Sequence, residues 1–339
     1  ESVADSATGE FMFGRDETPA LVAREPDGWL AFDGLATNNL QDVSLRVPLG
    51  VMTAITGVSG AGKSSLLTAV ADRLEAEGER RVVAIDQRPI GRSPRSNLAT
   101  YTGLFDAVRR LFAATPEAKE RGWSAGRFSF NVAEGRCPTC EGEGFIAIEL
   151  VFLPTSYSSC PTCHGSRYNP ETLQVRYAGR DIGEVLAMTT HEAAEFFADV
   201  PAVHRSLTTL LDVGLGYLTL GQPATELSGG EAQRIKLATE LQRPQRDGTV
   251  FVLDEPTGGL HPVNVRDLVR VLGRLVDSGA TVVVVEHDMR VVAAADWVVE
   301  LGPGGGDRGG TIVAQDTPAG LLELEASITA PYLRRSLTP

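Results

Sequence analysis

The sequence predicts an α/β fold: a mostly parallel sheet covered by helices on both faces and interrupted by a long insertion. Three observations predict it. Apolar runs of strand length alternate with amphipathic runs of helix length, most clearly in the last third of the chain. An earlier apolar run passes straight into a glycine loop and then a helix. All four cysteines fall in one short stretch between these two regions, so the insertion carries its own small four-cysteine ribbon.

Taken in order, Trp29 to Phe32 and Val43 to Val47 read as short strands flanking a turn at Thr37-Asn38-Asn39. Val51 to Thr56 is a buried-type strand, Ser64 to Leu74 has helical character, and Val82 to Ile85 is a further strand. Residues 100 to 135 mix helix signals with Gly- and Arg-rich connections. Phe145 to Leu153 reads as one arm of a β-ribbon, and Thr190 to Phe197 and Ala202 to Val213 as helices. The last third predicts a helix over 230–241, a strand over 250–253, a helix over 263–276 and a strand over 281–285. The predicted organisation is a linker over 1–26, a first core part over 27–87, an excursion over 88–220 with a cysteine module at 136–169, and a second core part over 221–339.

At 339 residues, 42% hydrophobic and 22% charged, the chain can bury a real core. No run approaches the roughly 18 to 20 uncharged apolar residues that cross a bilayer, and Glu1-Ser2-Val3-Ala4-Asp5 lacks the basic and apolar regions of a signal peptide. A cytoplasmic location without a membrane partner is expected. The start on Glu1 rather than Met suggests a position inside a longer gene product or after a removed segment. A formal net charge of −13 counts against general attraction for nucleic acid. Yet Arg88, Arg92, Arg95, Arg121, Arg127, Arg136, Arg167, Arg176 and Arg180 all lie in the middle of the chain, so a local basic face competes with the blander reading of scattered solvated arginines.

Gly57-Val58-Ser59-Gly60-Ala61-Gly62-Lys63-Ser64 is a P-loop in the strand-to-helix context the pattern requires. Gly57, Ser59, Gly60 and Gly62 let backbone N–H groups turn toward a β-phosphate, Lys63 brings a point charge to the β and γ oxygens, Ser64 is a Mg²⁺ ligand, and Ser65 follows it. Phe251-Val252-Leu253-Asp254-Glu255 is an apolar strand ending in two carboxylates, a Mg²⁺ ligand in Asp254 and a water-polarising base in Glu255. Alone, such a pair is commonly a solvated turn. Here Val285-Glu286-His287-Asp288 ends the next strand with a histidine suited to the γ-phosphate. Leu227-Ser228-Gly229-Gly230-Glu231 opens a helix with a serine cap, whose N–H groups and dipole suit a phosphate. The glycine run from Gly302 to Gly310 has neither Lys nor a following helix, and reads as a tight β connection.

The cysteines form Cys137-x₂-Cys140-x₁₉-Cys160-x₂-Cys163, inside the near-repeats Cys-Pro-Thr-Cys-Glu-Gly and Cys-Pro-Thr-Cys-His-Gly. This is zinc-ribbon spacing, and a closed Cys₄ shell about Zn²⁺ is structural. Two disulfides are the rival reading, disfavoured in a cytoplasmic chain. His164 reads as a surface group.

The four phosphate-site elements, in this order, resemble the ATP-binding-cassette (ABC) ATPases. Asp86-Gln87-Arg88-Pro89-Ile90-Gly91-Arg92, Gly126-Arg127-Phe128-Ser129-Phe130-Asn131, the paired cysteine motifs, Arg167-Tyr168-Asn169 and Leu220-Gly221-Gln222-Pro223 narrow that resemblance to the C-terminal half of the UvrA family, over nearly the whole chain. The resemblance implies a P-loop ABC ATPase with a mostly parallel sheet, interrupted by a helical signature-region insertion carrying the Cys₄ zinc ribbon. It makes Gln87 the Q-loop residue, Ser228 to Glu231 the signature, Thr257 to His261 the D-loop and His287 the switch histidine. It implies ATP, Mg²⁺ and Zn²⁺ as cofactors. The implied partners are double-stranded DNA, damaged or drug-modified, a second ABC half or homodimer copy that completes the ATP site, and a UvrB-like helicase. No nuclease activity of its own is expected.

Three features depart from the family pattern: Gln87 follows Lys63 by only 24 positions, the D-loop reads Gly258-Gly259-Leu260-His261-Pro262, and the N-terminal ABC half is not in this chain. These leave two settings open, excision repair and self-protection of an antibiotic producer. The rival class is the ATP-binding subunit of a drug exporter, which shares every ATP motif but has no use for a Cys₄ ribbon in an excursion this long.

Overall fold

The computed structural model describes residues 23–150, 153–244 and 247–337. Most of the linker expected over 1–26 lies outside them, as does the join of the ribbon's two arms at 151–152. The chain divides into two compact units, one running up to Gln87 and resuming at Arg243, the other Arg88–Gln242.

The first unit is built on a six-stranded sheet in the order β10-β9-β3-β8-β7-β4. Its members are β3 (Met52–Gly57), β4 (Val82–Ile85), β7 (Val250–Asp254), β8 (Thr281–Val285), β9 (Trp297–Gly302) and β10 (Thr311–Asp316). All pair in parallel except β9 with β10. Central strands of a sheet covered on both sides must be apolar throughout, and β8, Thr-Val-Val-Val-Val, is buried at every position. Alternate residues serve the two faces. Ile55, Val252, Val283, Val285, Val299 and Leu301 join one cluster with Leu66, Val70 and Leu74 of helix α1 (Lys63–Glu77). Phe32, Leu45 and Val47 of the antiparallel pair β1 (Gly28–Leu35) and β2 (Val43–Leu49) complete that cluster. Helix α5 (Pro262–Asp277) buries Val265, Leu268, Val271, Leu272 and Leu275 and packs against β8 and β3. At the chain's described start, the Arg24 backbone N–H donates to Asp296 Oδ1 at 2.8 Å, so this residue is tied to the unit rather than free of it.

The second unit is helical around an aromatic core. Helix α2 (Leu104–Ala113) contributes Phe105 and Phe112, which meet Phe130 and Phe128 at centroid distances of 5.4 and 5.6 Å. Tyr168, buried in the same group, donates its hydroxyl hydrogen to Phe128 O at 2.8 Å. Helices α3 (Pro201–Asp212) and α4 (Gly229–Leu241) pack on each other. The unit runs on to Gln242, past the expected boundary at 220. The reason is packing: Ser206 Oγ of α3 donates to Gln242 Oε1 at 2.8 Å, and Gly221 N and Ala224 N donate to Leu186 O and Ser96 O, both at 2.7 Å. The ribbon β5 (Phe145–Leu150) and β6 (Leu153–Ser159) rises from the cysteine knuckles.

Candidate active site and metal centre

Parallel strands deliver their loops to one edge of the sheet, and the first unit's candidate residues gather at the carboxyl ends of β3, β7 and β8. Gly57 ends β3 at φ 134°, where a Cβ would lie 2.1 Å from Leu301 O, so only glycine fits between the strands here. Gly62 precedes α1 at φ 101°, and no side chain caps the helix, whose first N–H groups face outward for an anion. Lys63 lies back over the loop, Nζ donating to Gly57 O at 3.0 Å and Val58 O at 3.1 Å. The Ser64 hydroxyl hydrogen-bonds the Asp254 carboxylate, which places two oxygen donors side by side. Burial pushes the Asp254 carboxyl above its ordinary range, with Glu255 adding to the shift, against that hydrogen bond and Lys63. Gln87 Nε2 points to the same strand end, 3.5 Å from Asp254 O. Glu255 sits at φ 46°, and its Oε1 lies 3.8 Å from His287 Nδ1.

Several residues that shape this site escaped the reading of the sequence. Asn38 Nδ2 donates to Ser65 Oγ at 3.1 Å, and Asn39 Nδ2 to Gly60 O at 3.2 Å. The glycine run after β9 does join two strands, as expected, but it also lies directly on the P-loop. Gly306 N donates to Gly60 O at 3.0 Å and Gly310 N to Ala61 O at 2.9 Å. A Cβ at Gly305 would fall 2.6 Å from Ser59 O, so the two loops approach backbone to backbone. The only local hint was the density of glycine itself.

Ser228, Gly229, Gly230 and Glu231 lie in the second unit, at the start of α4. Ser228 Oγ accepts from Glu231 N at 3.3 Å and the Glu231 carboxylate accepts from Ser228 N at 2.7 Å, a reciprocal capping box. Tyr217 Oη donates to Glu231 Oε1 at 2.6 Å. Burial opposes ionisation of Glu231, but the hydrogen bonds from Tyr217 and Ser228 outweigh it and hold the carboxyl below the usual glutamate value.

The four cysteine sulfurs lie within 4.8 Å of one another, with Cys137 Sγ 3.9 Å from Cys160 Sγ and Cys140 Sγ 3.6 Å from Cys163 Sγ. A tetrahedral thiolate shell at Zn–S of about 2.3 Å sets sulfurs roughly 3.8 Å apart, so the residues fit such an ion. The duplicated sequence makes duplicated knuckles: Glu141-Gly142 and His164-Gly165 are all left-handed, at φ 51°, 85°, 50° and 89°. Gly144 N then donates to Cys140 Sγ at 3.3 Å. Burial pushes the Cys163 thiol up to about 12 and raises Cys140 as well. At Cys160 burial is outweighed by backbone N–H groups of Cys163 and Thr162, which bring its thiol down to about 7.

The expected basic face is largely spent. Arg167 is only 2% exposed; its guanidinium donates to Pro94 O at 2.9 Å and Gly221 O at 3.0 Å, and stands 5.2 Å from the Phe130 ring. Arg127 pairs with Glu171 at 2.8 Å and stacks 4.1 Å from the Trp123 ring. Arg95 and Arg136 both reach Glu141, Arg121 pairs with Glu117, and Arg180 with Glu184. Arg176 stays exposed, bonded to the Gly179 carbonyl. Arg167 is therefore a structural residue, not the surface contact that its charge suggested.

Residues 40–258 match the ABC transporter family. The chain is 53% identical over 335 residues to the UvrABC system protein A of Methanothermobacter thermautotrophicus, covering 93% of this chain and 35% of that protein. It is 50% identical over 351 residues to the UvrABC system protein A of Bacillus subtilis, covering 97% and 37%. The crystal structure of UvrA2 from Deinococcus radiodurans superposes with a TM-score of 0.93 at 58% identity, over 98% of this chain and 43% of that one. The chain thus spans little more than a third of the length of these curated relatives.

Proposed function

The chain belongs to the ABC family, as one UvrA-type ABC half, and from that premise we propose that it is an ATP-hydrolysing, DNA-binding module that recognises damaged or modified duplex. The observation that carries the reading is similarity at 50–58% identity to UvrA proteins over nearly all of this chain, insertion included.

In this reading the P-loop holds the β and γ phosphates of ATP through its N–H groups and Lys63. Ser64 and Asp254 hold Mg²⁺, a hard cation suited to their oxygens, and bound Mg²⁺ supplies charge neutralisation between the outer phosphates. Glu255 polarises the attacking water, His287 hydrogen-bonds the γ-phosphate and Gln87 senses the filled site. Ser228 to Glu231 present a capped helix start to nucleotide held by a second module, a second ABC half or another copy of this chain. The Cys₄ centre takes Zn²⁺ and folds the base of the ribbon. Duplex is gripped through its backbone and deformability rather than base edges, because lesions vary in chemistry but share a distorted helix. A UvrB-like helicase is the partner to which damaged DNA would pass. The exporter reading is disfavoured by the relatives, which are UvrABC system A proteins matched over nearly all of this chain, insertion included. Among the described residues no helix is long and apolar enough to cross a membrane.

The test is duplex binding by partner-complete protein, on intact and lesion-bearing DNA, with and without Mg-ATP. Tighter binding to the lesion is expected, with affinity falling by about 0.9 log units per log unit of salt for each phosphate neutralised. Absence of binding to both duplexes at low salt would remove the DNA assignment.

A further inference from the structure

Glu255 and His287 ride on turns that leave neighbouring strands, and something must set the distance between them. Asp254 pairs with Val285 at the last rung of the β7–β8 ladder, and beyond it Glu255 N donates to Val285 O at 2.9 Å. The chain then reverses through the left-handed Glu255, a backbone state that a glutamate adopts only when its surroundings over-determine it. On the other strand, Glu286 N donates to Ile55 O at 2.9 Å, which fixes the root of that side chain to β3.

The Glu286 side chain is fully buried between these turns. Its Oε1 accepts from Thr257 N at 2.8 Å, and its Oε2 accepts from His287 N at 3.1 Å and Asp288 N at 3.4 Å. Asp288 is held in turn by Arg290. We propose that Glu286 is the positioning residue of the hydrolytic pair: its carboxylate fork ties the turn after Glu255 to the turn that bears His287. Glu255 is thereby pinned from both sides to the end of β8, by Val285 O before the reversal and by Glu286 after it.

The chemistry of the group fits this role better than packing does. A buried carboxyl is costly, and burial pushes Glu286 above its ordinary range while the hydrogen bonds from Thr257, Asp288 and His287 pull it back. An apolar side chain would fill the space without that cost. Only an acceptor at both ends of the fork satisfies N–H groups on both turns; the amide of glutamine turns one end into a donor that faces another donor. Aspartate keeps the charge but is a methylene shorter, and cannot span both turns at once.

The proposal rests on the reading of Glu255 and His287 as the hydrolytic pair, and the experiment separates the two. Steady-state ATP turnover and fluorescent-nucleotide binding are measured on partner-complete wild type, Glu286→Gln, Glu286→Asp and Glu255→Gln. A misplacement of about 1 Å at a reacting group costs on the order of 10² in rate. Glu286→Gln is expected to lower kcat roughly 10- to 100-fold while ATP affinity and KM stay within about twofold, because the P-loop is untouched. Glu286→Asp should show the same split, and carries the test should the glutamine variant fail to fold. Wild-type kcat in both, or equal loss of binding and kcat, overturns the proposal. Turnover retained in Glu255→Gln instead overturns the assignment of the pair itself.

Discussion

Arg167 turns the charge of the insertion into a stability experiment. Its guanidinium fork reaches two carbonyls on separate segments, Pro94 O at 2.9 Å and Gly221 O at 3.0 Å, with Gly142 O a marginal third at 3.5 Å. Burial depresses the guanidinium pKa, so the charge is held at a cost that these carbonyls offset. Arg167→Lys keeps the charge but replaces a planar fork by a single ammonium, which reaches one segment and leaves the other carbonyl buried. Losing one hydrogen bond from a charged donor, or orphaning one buried carbonyl, costs about 1.5–3 kcal/mol. For a unit of this size each kcal/mol moves Tm by roughly 2–4 °C, so a fall of roughly 3–12 °C is expected. Calorimetry of metal-loaded protein measures it, with hydrogen exchange at Gly221 and Gln222 as the local report. A phosphate-contacting arginine would behave oppositely: lysine would preserve stability and most DNA affinity. Unchanged melting in Arg167→Lys would refute the structural role.

Glu255→Gln is expected to keep Mg-ATP binding and lose about 10² to 10⁴ in turnover, the usual cost of removing a positioned base; unchanged hydrolysis in partner-complete protein removes the assignment. Elemental analysis of protein purified under reducing conditions without chelator should find one zinc per chain at Cys137, Cys140, Cys160 and Cys163. That ion should be lost on acidification, because protons compete for thiols whose pKa burial has raised at Cys140 and Cys163; zinc-free folded protein counts against the site. Gly305→Ala puts a methyl 2.6 Å from Ser59 O, a backbone atom that cannot swing aside. Overpacking of this kind costs about 1–3 kcal/mol of stability, and ATP affinity should fall as Ser59 and Gly60 are pushed out of place; wild-type affinity by nucleotide titration would show that the glycine loop does not brace the P-loop.

What the sequence disclosed follows the range of the forces involved. The P-loop is legible because its chemistry is consecutive: Gly57 to Ser64 carry the turn, the charge and the hydroxyl within one strand-to-helix passage. The cysteine ribbon is legible for a similar reason, since Cys137–Cys140 and Cys160–Cys163 repeat one local knuckle, down to the left-handed pair after each. The apolar run of β8 announces a central strand because burial on both faces leaves no polar position to choose.

Interactions set by tertiary neighbours leave no such trace. Thr257 N and the Glu286 carboxylate are 29 residues apart, and nothing in Val-Glu-His-Asp marks its glutamate as buried. The glycine loop shows its local role, joining β9 to β10, but not that Gly306 and Gly310 reach back across the chain to Gly60 and Ala61. Charge is the least legible of all. A crowd of arginines in one segment suggests a basic face, yet what a phosphate meets depends on which of them already face carboxylates. Here Arg127 and Glu171, Arg180 and Glu184, Arg121 and Glu117 cancel in pairs, and Arg167 is buried outright. An acidic protein of this kind can hold duplex only where such pairs open or where unspent groups such as the exposed Arg176 align, so few phosphates should be neutralised and the salt dependence of binding should be shallow. A steep slope, equivalent to many phosphates, would mean that binding opens the arginine–glutamate pairs, and the insertion's surface would then have to rearrange on DNA.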